Sequence, residues 1–183
     1  MIKKKFSKLV GSKFEDFNAF RESGQIVAQE ARLIPILKTG DEAALTSIFM
    51  TSMKLIKEYR DSIFKEIKLS RSGTLHYFTE VTFNDVDKNS RVDGLVLAVI
   101  KGVIREAVVF EMKNKNNSVD KPQVEKYIGL CKKIGVKTMV TVSNEFVADS
   151  SLSPVKVKPP KGFSLFHFSW TYLMTKGQLL LFK

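Results

Sequence analysis

Two carboxylates and a lysine in the middle of the chain have the types and spacing that suit metal-dependent hydrolysis. Asp93 stands at the start of an apolar run over 92–100, and Glu111 and Lys113 close a second apolar run over 107–112. Residues two apart in a strand point to the same face of a sheet, so Glu111 and Lys113 share a face. Carboxylate oxygens are ligands for hard cations, and an ammonium beside them can act on a phosphate or on water.

The two apolar runs are predicted to form a β-hairpin. Lys101 and Gly102 separate them, and a short turn that ends in glycine is typical of a hairpin. A hairpin places the start of its first strand beside the end of its second. We therefore expect Asp93 to lie near Glu111, although 18 residues separate them along the chain.

The elements before the hairpin are predicted from helical and alternating spacing. Apolar residues, mostly at helical spacing, predict a helix over about 14–37, with Gly24 as a candidate interruption and Pro35 as its end or bend. Thr39, Gly40 and Asp41 are predicted to form a turn or N-cap before a second helix over about 41–67. Alternation predicts a strand over 74–83, followed by a polar loop over 85–90.

The elements after the hairpin begin with a clearly delimited helix. Ser118 or Asp120 is expected to cap it, Pro122 lies in its first turn and Gly135 ends it. A strand over 136–142 should follow, parallel to the strand of Glu111 through a right-handed crossover. A strand over 163–170 and a last helix over 171–182 complete the pattern.

This combination resembles the PD-(D/E)xK, or restriction-endonuclease-like, nuclease superfamily. The resemblance covers roughly Gly40 to Trp170 as an order of elements with four or five motif positions. The family's proline before the Asp is often replaced, and here the dipeptide is Val92-Asp93. The chain also resembles uncharacterised proteins with such a domain near their N-terminus, in the stretches Arg32-Leu33-Ile34-Pro35, Phe78-Thr79-Glu80-Val81, Val142-Ser143-Asn144-Glu145-Phe146 and Phe168-Ser169-Trp170.

The resemblance implies an α/β fold with a mixed sheet of four to five strands flanked by helices. The chain is long enough for one domain with a proper core. Within it, residues 1–38 are expected to form a helical N-terminal extension packed on a nuclease-like core over 39–183.

Each site residue has an expected role. Asp93 and Glu111 would hold one or two Mg²⁺ ions, for which Mn²⁺ could substitute, and the resemblance implies that the Met112 carbonyl completes the coordination. Lys113 would orient or deprotonate the attacking water and stabilise the transition state; both of its roles stay open. Gln123, in the first turn of the helix, would hydrogen-bond the water or a phosphate oxygen.

Glu42 is the candidate for a further catalytic and metal-binding carboxylate. In the family such a residue usually comes from the first helix, and Glu42 stands at the start of the predicted helix over 41–67. The alternative is that its charge complements the helix dipole without any catalytic duty. Asp41 fits an N-cap better than a ligand.

Several other polar and aromatic residues are predicted to have structural roles. His76 and His167 are expected in the core or facing solvent rather than as metal ligands, and Cys131 as a buried small residue. Glu80 either faces the site or pairs with a basic residue. Tyr127 and Trp170 are expected in the core, with the wall of the site as the alternative for Tyr127.

Composition indicates the partner and the compartment. A net charge of +11 and a pI near 9.7 attract polyanions, so we expect a nucleic acid, DNA more than RNA, with a basic surface lacking a specific partner as the alternative. No apolar run is long enough to span a membrane and the start lacks the apolar core of a signal peptide. A single cysteine suits a reducing cytoplasm. The sequence has no nucleotide-binding motif, so no nucleotide cofactor is expected.

The sequence therefore predicts a Mg²⁺-dependent nuclease that hydrolyses phosphodiester bonds in DNA. Two alternatives stay open. The chain could be a catalytically inactive nucleic-acid-binding or interaction module of the same fold, or a nuclease subunit that needs a partner, as the apolar residues 179–182 indicate. Homodimers are common among such nucleases, and a homodimer is a possible assembly here.

Overall fold

Six strands form one open, mixed sheet with helices on both faces. In the computed structural model, residues 6–33, 42–70, 72–114 and 117–182 are described. The elements in chain order are α1 (Phe14–Glu22), β1 (Ile26–Glu30), α2 (Glu42–Leu55), α3 (Lys57–Glu66), β2 (Thr74–Phe83), α4 (Asn84–Asp87), β3 (Lys88–Ile100), β4 (Val103–Met112), α5 (Lys121–Ile134), β5 (Thr138–Ser143), β6 (Ser164–Ser169) and α6 (Trp170–Leu180).

The strands lie in the sheet in chain order, from β1 to β6. The pairs β1–β2, β2–β3 and β3–β4 are antiparallel, whereas the pairs β4–β5 and β5–β6 are parallel. The last three strands therefore finish at the same end of the sheet, which we call the site end. The Lys101-Gly102 turn between β3 and β4 lies at the opposite end, which we call the turn end.

Alternation along the central strands divides the core into two layers. Leu95 of β3 and Val109 of β4 pack with α1 and α5 on one face. Their neighbours Val96 and Phe110 pack with α2, α3 and α6 on the other. Both faces of the central strands are covered, which explains why these strands are nearly continuous runs of apolar residues.

The crossover from β4 to β5 follows the sequence prediction. Helix α5 begins directly after Asp120, has Pro122 in its first turn and ends at Gly135, whose φ of 77° is left-handed. Asp120 occupies the N-cap position but its side chain makes no capping hydrogen bond. The parallel pairing of β4 with β5 and the strand over 74–83 are confirmed.

Three predictions about the first half of the chain are wrong. The helix predicted over 14–37 ends at Glu22, just before the candidate interruption at Gly24, whose φ is 75°. Residues 26–30 form β1 and pair with β2, so this segment joins the sheet and is not a purely helical extension. The helix predicted over 41–67 is broken at Ile56, whose backbone is extended with φ −104° and ψ 99°. The sheet consequently has six strands rather than four to five.

The segment before the hairpin is also more ordered than predicted. A short helix, α4, and the first residues of β3 occupy the predicted polar loop over 85–90. The expected turn at 39–41 and the Pro35 bend lie outside the described residues. Among the described helices, none is long and apolar enough to cross a membrane.

Candidate active site

The hairpin brings Asp93 and Glu111 to the site end of the sheet. Gly94 is opposite Phe110 in the antiparallel register, so their neighbours Asp93 and Glu111 also face each other across the two strands. The proximity that the hairpin predicted is therefore confirmed. The side chain of Glu111 is nearly buried, at 3% exposure.

Two of the predicted residues bind the same oxygen of Glu111. The Lys113 ammonium donates a hydrogen bond to Glu111 Oε1 at 2.8 Å, and the Gln123 amide donates to it at 2.7 Å. Lys113 reaches it from the same strand face, and Gln123 reaches it from the first turn of α5. The crossover helix thus contributes to the site directly.

Met112 lies between the two carboxylates along the main chain. Its backbone N–H donates a hydrogen bond of 2.7 Å to Asp93 Oδ2, and its side chain is buried on the opposite face of the sheet. This hydrogen bond fixes the orientation of the Asp93 carboxylate relative to β4.

The second oxygen of Glu111 is the unusual atom of the site. Oε2 is buried and has no N–H or O–H donor among the described residues, although the Asp93 carboxyl lies close enough to Glu111 for the two to share a proton. A buried carboxylate oxygen without a partner is costly unless the group is protonated or a cation lies against it. Asp93 and Glu111 provide hard oxygen ligands of the kind that Mg²⁺ and Mn²⁺ take, so the donor set fits such an ion.

Protein side chains alone would not complete the coordination of such an ion. Within the described residues, no group of three or more His, Cys, Asp or Glu side chains is clustered closely enough to bind a metal. A cation at Asp93 and Glu111 would therefore need backbone carbonyl or water ligands as well, which is how Mg²⁺ is commonly held.

Glu42 lies at the margin of this cluster. Its Oε2 accepts a hydrogen bond of 3.0 Å from the Asn114 backbone N–H, one residue after Lys113. Its negative charge also contributes to the raised pKa of Asp93. Glu42 is the first described residue of α2, so complementing the helix dipole and serving as a ligand both remain open.

Burial and mutual repulsion alter the proton affinities of the two carboxyls. Burial raises the pKa of Asp93 to about 6, which the Met112 N–H and the Lys113 ammonium partly oppose. Burial and the neighbouring Asp93 raise the pKa of Glu111 to about 8. For Lys113, burial lowers the pKa, but the hydrogen bond and charge of Glu111, with Asp93 and Glu42, raise it overall.

Trp170 fixes the main chain at Lys113, a contact that the sequence did not predict. Its indole N–H donates a hydrogen bond of 2.7 Å to the Lys113 carbonyl, while the Lys113 N–H donates to the Val142 carbonyl at 2.8 Å. Trp170 directly follows β6, which ends at the same end of the sheet as β4. The position of Trp170 directly after a strand could have indicated this contact from the sequence, but only with the order of the strands in the sheet known.

Glu80 and Tyr127 form the side of the site next to β2 and α5. Glu80 pairs with Arg91 at 2.5 Å, which bears out the ion-pair alternative, and it adopts a left-handed backbone with φ 55° opposite Asp93. The Tyr127 hydroxyl donates to the Arg91 carbonyl at 2.8 Å and lies within 3.5 Å of the Gln123 amide. Tyr127 is therefore a wall of the site.

The histidines and the cysteine are structural. His167 is buried, with Nδ1 2.9 Å from the Thr141 hydroxyl and Nε2 3.0 Å from the Glu145 carbonyl, and burial lowers its pKa. His76 stacks on Phe14 at a ring distance of 3.9 Å. Cys131 is buried, and burial raises the pKa of its thiol to about 12, so the thiol is not a nucleophile.

An apolar groove of about 730 Å³ opens next to these residues. Side chains of α2, α3 and α6 line it, and Asn114 and Trp170 connect it to the main chain around Lys113. Several of its lining side chains are exposed to solvent, including Ile56 and Met174.

Comparisons with known proteins add no relative. No protein-family model matches the chain, and neither a curated protein nor a solved structure does. The function therefore has to be argued from the site itself.

Proposed function

We propose that the chain is a metal-dependent nuclease of the restriction-endonuclease-like kind that hydrolyses phosphodiester bonds in DNA. The observation that carries the proposal is the buried, unpartnered Oε2 of Glu111, which lies in a site that also holds Asp93 and Lys113. An ion pair with Lys113 satisfies only one of the two oxygens. A divalent cation against the other would remove the cost of burying it.

The order of elements supports the fold part of the proposal. A helix precedes a hairpin that carries Asp93 and Glu111, and a crossover helix that carries Gln123 leads to a parallel strand. The additional strand, β1, pairs at the margin of the sheet with β2, away from the site. Its presence leaves the motif-bearing elements in the order that the resemblance implies.

Each residue has a task in phosphodiester hydrolysis. A bound Mg²⁺ or Mn²⁺ would supply positive charge to the phosphate and acidify water. Asp93 and Glu111 would hold the ion, with the Met112 carbonyl and Glu42 as the further proposed ligands. Lys113 provides an ammonium for the charge that develops in the transition state, and Gln123 provides an amide that can orient water or a phosphate oxygen.

DNA is the proposed substrate because of the charge of the chain. A surplus of 11 positive charges favours polyanions by release of their counterions. The same carboxylates and lysine would act on the phosphates of RNA, so RNA belongs among the test substrates.

The test compares wild type with Lys113→Ala on supercoiled, linear and single-stranded DNA and on RNA, in Mg²⁺, Mn²⁺ and EDTA. We expect cutting that needs the metal and falls at least about 100-fold in Lys113→Ala, as for the loss of a charge-stabilising group. Lys156→Ala is the matched control, because it removes an exposed lysine from the loop between β5 and β6 and should leave the rate unchanged.

The same experiment distinguishes the nuclease from the first alternative, a catalytically inactive nucleic-acid-binding module. A wild-type chain that binds DNA in EDTA but cuts no substrate in either metal would contradict a self-sufficient nuclease and would favour a catalytically inactive binding module or a nuclease subunit without its partner. Metal-dependent cutting that survives in Lys113→Ala would show that the activity comes from another site or from a contaminant.

A nuclease subunit that needs a partner is the second candidate. The observation that favours it is the apolar groove beside the site, whose lining includes the exposed side chains of Ile56 and Met174, since contiguous exposed apolar surface marks interaction sites in many proteins. This candidate predicts low activity from the isolated chain and a rate per chain that rises with protein concentration or when the partner is added, whereas a self-sufficient monomer gives a constant rate per chain.

A further inference from the structure

The turn end of the sheet carries a groove lined by positive charges. Lys68, Arg105 and Lys137 line this groove of about 290 Å³, and all three side chains are exposed. Lys68 follows α3, Arg105 lies near the start of β4, and Lys137 directly precedes β5. Three separate segments thus converge on one concave surface.

Irregular backbone positions two of these cations. Ala98 pairs with Glu106 whereas Val99 pairs with Ile104, so Arg105 is the extra residue of a bulge in β4. Bulges re-aim side chains that regular pairing would fix. Lys68 has a left-handed backbone with φ 57°, which is unfavourable for a residue with a Cβ and indicates that its surroundings impose the conformation.

The positive charge of the groove is not neutralised locally. Glu106 is the acidic residue of its lining, and one of its carboxylate oxygens accepts a hydrogen bond of 2.7 Å from the Ser70 backbone N–H. Lys68, Arg105 and Lys137 form no ion pair with any carboxylate in the part of the chain that the structure describes.

Further cations continue the groove across the turn end. The Lys8 side chain lies over Gly135, which also lines the groove. Lys101 lies in the β3–β4 turn. Lys161 lies in the loop before β6, and the first residue of β6, Ser164, donates its N–H to the Lys137 carbonyl. Neighbouring strands are about 4.8 Å apart, so cations at the ends of successive strands form a row that suits an extended polyanion better than a single ion.

We propose that the turn end is a second nucleic-acid-binding surface, which contacts backbone phosphates and is separate from the carboxylate site. The ten residues of β4 separate the two ends by about 30 Å, at about 3.3 Å per residue. Binding there needs no metal and no catalysis, so the proposal does not depend on the nuclease activity. It would hold a second segment of nucleic acid while the site end engages the first.

Nucleic acid fits this surface better than an anionic membrane does. Arg105 offers a planar group that can bind phosphate through two hydrogen bonds. Membrane surfaces are usually bound with apolar or aromatic side chains that insert beside the cations. None of the exposed large apolar side chains in the described segments lines this groove.

The test measures DNA binding by the whole chain in EDTA. Arg105→Glu/Lys137→Glu reverses two charges of the groove, and Lys57→Glu/Lys156→Glu reverses two exposed lysines elsewhere. Lys57 begins α3, about 14 Å along the helix from its end near Lys68, and its exposed pair with Asp61 contributes little stability. Each reversal changes the charge by two, so both variants carry +7 instead of +11.

Binding is measured with a labelled duplex of about 30 base pairs between about 50 and 200 mM salt. We expect the groove variant to raise Kd at least about tenfold at the lower salt and to reduce the slope of log K against log salt by about two, since each phosphate contact contributes about 0.9. The control variant should change Kd by less than about threefold.

Three results would overturn the proposal. Equal losses in both double variants would mean that net charge alone governs binding, and no loss in the groove variant would mean that DNA does not contact the groove. Loss of binding to phosphatidylserine vesicles with unchanged DNA binding would assign the surface to a membrane. If the groove variant melts at a lower temperature than wild type, Arg105→Gln/Lys137→Gln replaces it and must show at least a threefold weaker binding.

Discussion

Glu111 carries an ionisable group into a part of the molecule with little access to water. One of its oxygens has two donors, Lys113 and Gln123, and the other has none among the described residues. The imbalance makes the group sensitive to what occupies the space beside Oε2. In the absence of a cation, a proton is the species that relieves it, because burial raises the pKa of Glu111 to about 8.

The stability of the metal-free chain should therefore fall as the pH rises from about 5 to 8. In the folded chain Glu111 keeps its proton up to about pH 8 and Asp93 up to about 6, whereas in the unfolded chain both lose it near their ordinary values of 4.5 and 3.8. The folded state binds more protons in this window, so rising pH lowers the free energy of unfolding. Thermal melting in EDTA should show a Tm lower at pH 8 than at pH 5 by about 5 °C or more.

Glu111→Gln serves as the control for this pH dependence. It removes the group with the larger shift, so the Tm of the variant should vary less with pH over the same window. A wild-type Tm that rises from pH 5 to pH 8 in EDTA would contradict the protonation argument. Added Mg²⁺ should raise the wild-type Tm at pH 8, because a ligand that binds only the folded chain stabilises it.

At the scale of the element, the β3–β4 hairpin depends on a turn with two left-handed residues. Lys101 has φ 51° and Gly102 has φ 73°, which is the conformation of a type I′ turn. The left-handed backbone is sterically unfavourable for lysine and less so for asparagine. Lys101→Asn should therefore stabilise the chain by about 0.5–1 kcal/mol, which raises Tm by about 1–4 °C.

Gly102→Ala is the opposing variant for the same turn. A Cβ at Gly102 would meet no atom of the described residues within 4 Å, so any loss of Tm reports the left-handed backbone alone. Unchanged melting in both Lys101→Asn and Gly102→Ala would mean that the turn does not adopt this conformation in solution.

Close packing of α2 against the sheet explains the glycine that follows Asp93. A Cβ at Gly94 would lie 2.9 Å from Met50 Cε and 3.1 Å from Phe110 Cβ, and Met50 is fully buried. Gly94→Ala should destabilise the chain by about 1–3 kcal/mol through overpacking. Measured by denaturant unfolding, this cost should shrink by at least about 0.5 kcal/mol in a Met50→Leu background, since residues in contact couple.

Gly129→Ala provides the matched control on the other face of the sheet. Gly129 lies inside α5, and a Cβ there would meet no atom within 4 Å in the part of the chain that the structure describes. The substitution should stabilise the chain by up to about 1 kcal/mol, because alanine favours the helix. A Gly94→Ala variant as stable as Gly129→Ala would show that α2 does not pack against β3 this closely.

The elements that the sequence predicted correctly are those with local signals. The turn at Lys101 and the proline and glycine that delimit α5 are readable within a few residues, and the proximity of Asp93 to Glu111 follows from that hairpin. Strand β1 was missed because its pairing, such as Ile26 with Phe83, joins segments far apart in the chain. The contact of Trp170 with Lys113 depends on strand order, which no local pattern specifies.

Across the whole molecule, the exposed cations lie at the opposite end of the sheet from the buried carboxylates, which adjoin the apolar groove. Buried carboxylates occupy the site end, exposed cations occupy the turn end, and the apolar groove lies between α2, α3 and α6. A net charge of +11 therefore does not act uniformly, because the local field depends on which end approaches a partner. This separation explains why binding and cleavage can be tested by different variants.

The most exposed apolar side chains lie just after α6 and should contribute little to the stability of the fold. Leu181 and Phe182 are 82% and 85% exposed, although Leu181 borders the apolar groove. Leu181→Gln/Phe182→Gln should leave Tm within about 1–2 °C of wild type, because exposed substitutions away from special contacts change stability by less than about 0.5 kcal/mol. The same variant should bind less of a hydrophobic dye and associate less with itself at high concentration, as light scattering would show.

Leu173→Gln is the contrast within the same helix. Leu173 is buried in the layer between the sheet and α6, so a polar group there should lower Tm by well over 5 °C. If the double variant at 181 and 182 melted as low as Leu173→Gln, the two exposed side chains would have to be packed in solution. If the double variant instead melts at the wild-type Tm and associates less with itself, Leu181 and Phe182 belong to a surface that contacts other proteins and does not stabilise the fold.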